Sequence, residues 1–320
     1  MRKYLQSYSE LRTDNLRHML RPILLRCLER YKDYAETEGI VILGGAAENA
    51  QRPFLDHNSD LDGSIFVSLP CVDSLPQISL RQFLENHQEC LPPWLPPFES
   101  QIPLEQHPQR EVDLNIHQQI LEFEEREGAM WDEGRCAAYA NCEILFDRTG
   151  RVGRLIRQRV RWRDEISYRL LLRNLGQAQW YGIINPEKQI ERGMMYSAHD
   201  LINEATELLI HAVYLINREY RPHKKWRLQH AYSLRARPTE FRERIIALMQ
   251  IEDCSEASVR RRIMLISALL DDVIEIAESQ VGVPEDVYRA SCVFSFEDRQ
   301  LKRGLISKAN LARVTTTRPA

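Results

Sequence analysis

The spacing of apolar residues changes once along this chain of 320 residues, near residue 150. Before that point, short β-branched runs such as Ile40–Leu43 are typical of buried strands. After it, apolar residues recur three and four positions apart, as in Leu201–Ile216, which is typical of helices. The sequence therefore predicts an α+β fold, with a mixed-sheet domain at residues 1–150, an all-α helical bundle domain at 151–310 and a flexible tail at 311–320.

The first half divides further into individual elements. An apolar face predicts a first helix over Leu16–Tyr31, which Pro22 should kink or split and which should stop near Gly39. The remaining elements predicted in this half are strands at 40–43, 61–67, 100–104, 110–118 and 143–147, and helices at 79–89 and about 119–140.

The composition excludes several classes of protein. With 43% hydrophobic and 28% charged residues, the chain has the composition of a soluble globular protein. No run approaches the roughly 18 apolar residues of a membrane helix, and the N-terminus lacks the apolar core of a signal peptide. The seven cysteines contain no Cys-x-x-Cys pair, which argues against a disulfide framework and against a zinc site. We therefore expect a cytoplasmic protein with no membrane partner.

The net charge of −3 conceals a difference between the two halves. Residues 1–150 carry a net charge of −11, and residues 151–320 carry +8. An acidic half suits metal ions or a cationic substrate, and a basic half suits phosphates or RNA. An interface at which the two halves complement each other in charge would explain the difference equally well. Charge alone therefore does not identify a partner.

Three aspartates of the first half form a candidate metal site. Asp60 and Asp62 make an Asp-x-Asp pair at the start of a predicted strand, and side chains two positions apart on a strand share one face. Asp113 lies on a later strand that alternates apolar and polar residues. Three converging carboxylates would make an all-oxygen site suited to Mg²⁺. The alternative interpretation is that these are surface carboxylates on amphipathic strands.

A pair of glycines precedes the aspartates. Gly44 and Gly45 end the predicted strand at 40–43, and Ser59 stands directly before the Asp-x-Asp pair. Glycines let the backbone approach a triphosphate closely and point amide N–H groups at phosphate oxygens. Ser59 would bond a phosphate or cap the turn. An ordinary turn at the end of a strand is the alternative for the glycines.

The order of these motifs resembles that of the DNA polymerase β-like nucleotidyltransferase superfamily. The matching residues are Leu43–Gly45, Ser59–Asp62 and Glu111–Leu114, and the resemblance covers roughly residues 15–150. Leu145–Gly150 also resembles the strand that closes this domain in antibiotic and minimal nucleotidyltransferases.

The resemblance implies a reaction and roles for these residues. A nucleoside monophosphate would pass from a nucleoside triphosphate to an acceptor hydroxyl, with release of pyrophosphate. Asp60 and Asp62 would hold two Mg²⁺ ions, and Asp113 would complete one site and help to deprotonate the acceptor. Glu133 and Glu143 are alternative general bases, between which the sequence does not select.

The helical half has a weaker resemblance to an uncharacterised helical domain that accompanies some bacterial nucleotidyltransferases. It is carried by His199–Asn203, Leu215–Pro222 and Lys224–Trp226. In that resemblance Lys224 or Lys225 would steady the triphosphate, with solvated lysines at a helix end as the alternative.

The acceptor and the activity itself stay open at this stage. A small molecule such as an aminoglycoside or lincosamide, a protein side chain, and an RNA end all fit the proposed reaction. Arginines at 151, 154, 157 and 161 fall on one helical face, which is a solvated stripe or a weak signal for nucleic acid. A protein that binds or senses nucleotides without transfer, or one that acts in a toxin–antitoxin pair, is the alternative from another class.

Overall fold

The computed structural model divides the chain into two compact units, Met1–Arg161 (unit 1) and Trp162–Ala320 (unit 2). It describes residues 17–48, 50, 55, 59–75, 78–95, 98–104, 107–126, 129–284, 286–287 and 289–291, with the backbone alone for Met19, 98–104 and 107–112. The predicted tail at 311–320 lies outside the described residues. The division falls at residue 161 and not at 150, because the helix after residue 150 packs against the sheet of unit 1.

Unit 1 is built on a mixed five-stranded sheet with the order β3-β4-β2-β1-β5. The strands are β1 (Thr37–Ile42), β2 (Leu61–Val67), β3 (Phe98–Leu104), β4 (His107–Ile120) and β5 (Glu143–Asp147). Pairing is antiparallel between β1 and β2, β1 and β5, and β3 and β4, and it is parallel between β2 and β4. The strands predicted from the sequence are therefore confirmed, and with them the α+β class.

Helices cover both faces of the sheet in unit 1. They are α1 (Arg17–Glu29), α2 (Leu80–Asn86), α3 (Leu121–Glu125), α4 (Glu133–Ala140) and α5 (Arg151–Arg159). On one face, Leu24 and Leu28 of α1 and Phe83 of α2 join a core with Ile40 and Ile65 of the strands. On the opposite face, Tyr139 of α4 makes an edge contact with Phe66 of β2, with ring centroids 6.1 Å apart. The central strands β1 and β2 are therefore buried on both sides, apart from the intermediate Asp62.

Three details of unit 1 differ from the sequence prediction. Pro22 does not split the first helix, since it lies inside α1, which continues to Glu29. The helix expected over 119–140 consists of α3 and α4, and α4 begins afresh where Asp132 accepts a hydrogen bond from the backbone N–H of Arg135. Helical periodicity alone does not reveal such an internal cap.

Gly39 was expected to stop the first helix but lies within β1. A Cβ atom at this position would lie 2.6 Å from Cγ2 of Val152 on α5 and 3.2 Å from the carbonyl oxygen of Phe146 on β5. The missing side chain therefore lets α5 lie directly on β1, which fixes α5 within unit 1.

We expect Gly39→Ala to destabilise unit 1 by about 1–3 kcal/mol, because the added methyl group overfills a packed contact. Chemical unfolding followed by far-UV circular dichroism measures the change. The double variant Gly39→Ala, Val152→Ala removes the clashing methyl groups and should recover part of the loss. A single variant as stable as the wild type would show that α5 does not pack on β1 in this way.

In the described part of unit 2, all regular secondary structure is helical. Its helices are α6 (Asp164–Gln179), α7 (Asn185–Glu191), α8 (Met195–Ile216), α9 (Arg227–Ala231), α10 (Phe241–Met249) and α11 (Glu256–Val281), with a π-helical turn at Trp180–Ile184 between α6 and α7. From Leu209 to Ile216 every residue of α8 is buried, so α8 forms the centre of this core. Among the described residues, no helix combines the length and the apolar character that crossing a membrane requires.

A fully buried arginine joins three elements of unit 2. The guanidinium of Arg262 on α11 donates to Nδ1 of His199 at 2.8 Å, to Oδ1 of Asn203 at 2.6 Å and to the carbonyl oxygen of Leu248 at 2.8 Å. Because a guanidinium only donates, Nδ1 of His199 must accept, and Nε2–H then donates to the carbonyl oxygen of Asp253 at 3.1 Å. His199 therefore ties α8 to α11 as a neutral imidazole.

The stability of unit 2 should depend on pH through His199. Burial, and then the charge of Arg262, lower the pKa of His199 below its ordinary value of 6.5, while the nearby Asp253 acts in the opposite direction. The unfolded chain therefore binds this proton at a higher pH than the folded chain does. Stability is full above about pH 6.5 and falls as the pH drops from there towards the folded pKa.

Thermal unfolding between pH 7.5 and 5.0 tests this expectation. His199→Gln keeps an acceptor for Arg262 and should flatten the dependence, whereas the exposed His223→Gln should leave it unchanged. Equal slopes for the wild type and His199→Gln would contradict the neutral imidazole.

Candidate functional site

Asp62 occupies the second position of β2, beside the turn that follows β1. The backbone N–H of Leu43 donates to the carbonyl oxygen of Asp62 at 3.0 Å, which holds the end of β1 against the start of β2. One third of the Asp62 side chain is exposed, so its carboxylate lies at the edge of the sheet where a ligand can reach it. The chain thus brings the glycine turn and the second aspartate of the Asp-x-Asp pair together.

Asp113 lies on the same face of the sheet as Asp62. Parallel pairing of β2 and β4 sets Asp62 opposite Asn115, and Nδ2 of Asn115 donates to Oδ1 of Asp62 at 3.3 Å. Side chains two positions apart on a strand share a face, so Asp113 and Asn115 point to the same side. Leu114 and Ile116 point the other way, into the core. The strand pairing therefore directs the side chains of Asp62 and Asp113 to one face of the sheet, away from this core.

Asp60 and Ser59 directly precede β2, and both are half-buried. In the described part of the chain, no three His, Cys, Asp or Glu side chains lie close enough together to hold a metal ion as they stand. Like charges disfavour the close approach of several carboxylates. Asp113 is exposed and shares its face of the sheet with Asp62. Carboxylate ligands suit Mg²⁺, and the closing of the set remains a prediction.

The two glycines of the turn differ in their backbone requirements. Gly44 has φ of +64°, in the left-handed region, and a Cβ atom there would lie 3.7 Å from Oδ2 of Asp62. The backbone φ angle of Gly45 is not positive. Gly44 therefore places bare backbone directly against the carboxylate of Asp62, as a loop that approaches a metal-bound phosphate requires.

Lys224 and Lys225 lie in unit 2, between α8 and α9, and both are exposed. The ring of the adjacent Trp226 lies against that of His230, with centroids 6.5 Å apart and an angle of 23° between the planes. These lysines stay predicted phosphate ligands. Tyr220 packs its ring edge-on against Trp162, with centroids 4.9 Å apart.

The arginine stripe of α5 is largely solvated. Arg154, Arg157 and Arg161 are exposed, whereas Arg151 forms ion pairs with Glu122 and Glu125 at 3.3 and 2.6 Å. Arg151, the first arginine of the stripe, is therefore held by two carboxylates of helix α3 in the same unit.

Two side chains that the sequence did not single out lie beside Asp62. Asn115 hydrogen-bonds its carboxylate, and Nε2 of His117 lies 4.0 Å from Oδ1 of Asp62. Their positions two and four residues after Asp113 put them on one face, which the alternation of the strand could have indicated. Their proximity to Asp62 depends on the register between two strands that lie far apart in sequence.

Comparisons with known proteins give a limited result. Residues 130–227 match the model of a domain of unknown function, DUF4037. A search of curated proteins finds no match. The structure is similar to the crystal structure of a nucleotidyltransferase-like protein from Exiguobacterium sibiricum 255-15, with a TM-score of 0.40 and 13% identity, covering 90% of this chain and 93% of that one. A similarity at this level does not identify the function. The assignment of a function therefore rests on the residues of the site.

The two glycines should respond differently to alanine. We expect Gly44→Ala to cost about 1–2 kcal/mol of stability, because an L side chain is strained in the left-handed region. Gly45→Ala should cost less, since no such strain arises there. Equilibrium unfolding in urea compares the two variants, and equal costs would contradict the positive φ at Gly44.

Proposed function

We propose that unit 1 is the catalytic domain of a Mg²⁺-dependent nucleotidyltransferase. One observation carries the proposal: Asp62 and Asp113 share one face of the parallel strands β2 and β4, next to the left-handed turn at Gly44. A surface carboxylate on an amphipathic strand has no need of bare backbone beside it. A site that holds a metal-bound triphosphate needs both features.

The reaction is in-line attack by an acceptor hydroxyl on the α-phosphorus of a nucleoside triphosphate. A bond forms between the acceptor oxygen and phosphorus, and the bond from phosphorus to the bridging oxygen breaks, so that pyrophosphate leaves. Mg²⁺ held by Asp60, Asp62 and Asp113 would supply charge neutralisation for the triphosphate.

The residues of this chain contribute position and a proton acceptor. The backbone at Gly44 and Gly45 would approach the β and γ phosphates, and Ser59 would donate a hydroxyl hydrogen bond to them. Asp113, at the exposed edge of the site, would accept the proton of the acceptor hydroxyl. Nδ2–H of Asn115 fixes the orientation of the Asp62 carboxylate. Catalysis of this kind is mainly positioning and electrostatics.

Lys224 and Lys225 of unit 2 are proposed as additional phosphate ligands, and unit 2 as the part that selects the acceptor. The acceptor is a small molecule, a protein side chain or an RNA end. The proposed partners are therefore a nucleoside triphosphate and one of these hydroxyl-bearing acceptors.

Release of pyrophosphate tests the proposal. The full chain is incubated with Mg²⁺, each of ATP, GTP, CTP and UTP, and a panel of acceptors, and the protein itself is examined by mass spectrometry for added nucleoside monophosphate. We expect Asp62→Asn or Asp113→Asn to lower the rate by at least about 10²-fold, because each removes a carboxylate that would hold the Mg²⁺ neutralising the triphosphate.

Asp73→Asn is the matched control, since Asp73 is an exposed aspartate of the same unit outside the site. Activity that survives in Asp62→Asn would contradict the proposed site. Tight binding of a nucleotide without turnover for any acceptor would favour the non-catalytic alternative, a nucleotide-sensing or interaction protein.

A further inference from the structure

Two arginines of α1 hold the carbonyl groups of the glycine loop, Gly44–Glu48. Nε of Arg17 donates to the carbonyl oxygen of Gly45 at 3.2 Å, and its NH2 group donates to that of Ala47 at 2.9 Å. Nε of Arg21 donates to the carbonyl oxygen of Ala46 at 3.1 Å. Three consecutive carbonyls of the loop therefore point towards one helix.

The planar trans peptide gives this arrangement a consequence for the amides. The C=O and N–H groups of one peptide unit point in opposite directions. The carbonyls of Gly45, Ala46 and Ala47 face α1, and the N–H groups of Ala47 and Glu48 donate to the carbonyl oxygen of Gly44 and to Glu143. Ala46 is buried, so the part of the loop that a phosphate can reach is Gly44, which is exposed, and Gly45, which is half-buried.

A carboxylate from the neighbouring strand completes the arrangement. Oε1 of Glu143 on β5 accepts from NH2 of Arg21 at 2.6 Å, and Oε2 accepts from the backbone N–H of Glu48 at 2.7 Å. The side chain of Glu143 is only 14% exposed and that of Arg21 is 24% exposed, so the solvent screens this ion pair weakly. Glu143 lies opposite Ile42, at the end of the strand from which the loop emerges.

We propose that Arg21 and Glu143 are positioning residues that hold the glycine loop in the shape that binds the triphosphate. The inference rests on the proposed nucleotidyl transfer and deepens it. It also gives Glu143 a role other than that of a general base, because both of its carboxylate oxygens already accept hydrogen bonds. The geometry makes both residues act through the backbone of the loop and not by contact with the reacting atoms.

The test measures nucleotide affinity and turnover separately. Binding of a ribose-labelled fluorescent ATP is titrated with Mg²⁺ present, and KM and kcat are measured for the triphosphate that the wild type uses best. We expect Glu143→Gln to raise Kd and KM about tenfold, since it removes the charge that orients Arg21, with kcat within about twofold of the wild type. Glu187→Gln, which breaks the exposed ion pair with Arg260, is the matched control and should change neither constant.

A charge-exchange variant separates positioning from mere stabilisation. Arg21→Glu with Glu143→Arg restores an ion pair, but glutamate cannot donate to the carbonyl of Ala46 and arginine cannot accept from the N–H of Glu48. We expect this variant to remain folded at the assay temperature, as thermal unfolding checks, and to bind the nucleotide at least about tenfold more weakly than the wild type, since it loses two charged hydrogen bonds to the loop. Recovery of wild-type affinity in the exchange variant would overturn the proposal, because an ion pair alone would then suffice.

The remaining outcomes are also decisive. An unchanged Kd and KM in Glu143→Gln, with a wild type that binds nucleotide and loses turnover in Asp62→Asn, would overturn the positioning role and leave the nucleotidyltransferase proposal intact. A wild type that binds none of the four triphosphates would overturn both.

Discussion

The candidate site depends on the parallel pairing of β2 with β4, which sets Asp62 opposite Asn115. A slip of one residue in this pairing would turn every side chain of β4 to the other face. Leu114 and Ile116 prevent that slip, because they are buried in the core that α1 and α2 complete. Burial of apolar groups on one face of β4 therefore determines that Asp113 faces the same side as Asp62.

The glycine loop lies between charged groups of opposite sign. Its front faces the carboxylate of Asp62, where Gly44 lies close, and its carbonyls are bound from behind by Arg17 and Arg21. The proposed binding of a triphosphate requires that the backbone carbonyls of the loop do not face the phosphates. The guanidinium groups of α1 hold these carbonyls back, and Glu143 compensates one of the two positive charges close by.

Unit 2 is ordered by a different interaction. Arg262 is completely buried, and the hydrogen bonds described for it go to neutral groups: the imidazole and carbonyl of His199, the amide of Asn203 and the carbonyl of Leu248. Burial lowers the pKa of this guanidinium to about 10, so it remains charged at neutral pH. A charge in such a place requires all of its partners at once, which favours one packing of α8, α10 and α11 over alternatives.

The sequence by itself determined the local elements and the residue types of the candidate site. The period-two alternation of β4, the buried run of β1 and the helical spacing after residue 150 depend on neighbouring residues, so the strands and the division into a mixed and a helical unit were predictable. Tertiary structure decided what depends on distant partners. It placed Asn115 beside Asp62, bound Glu143 to Arg21, and put Gly39 under Val152, which moved the boundary between the units to residue 161. The physical reason is that strand register and helix docking are set by the packing of residues far apart in sequence, on which the local pattern carries no information.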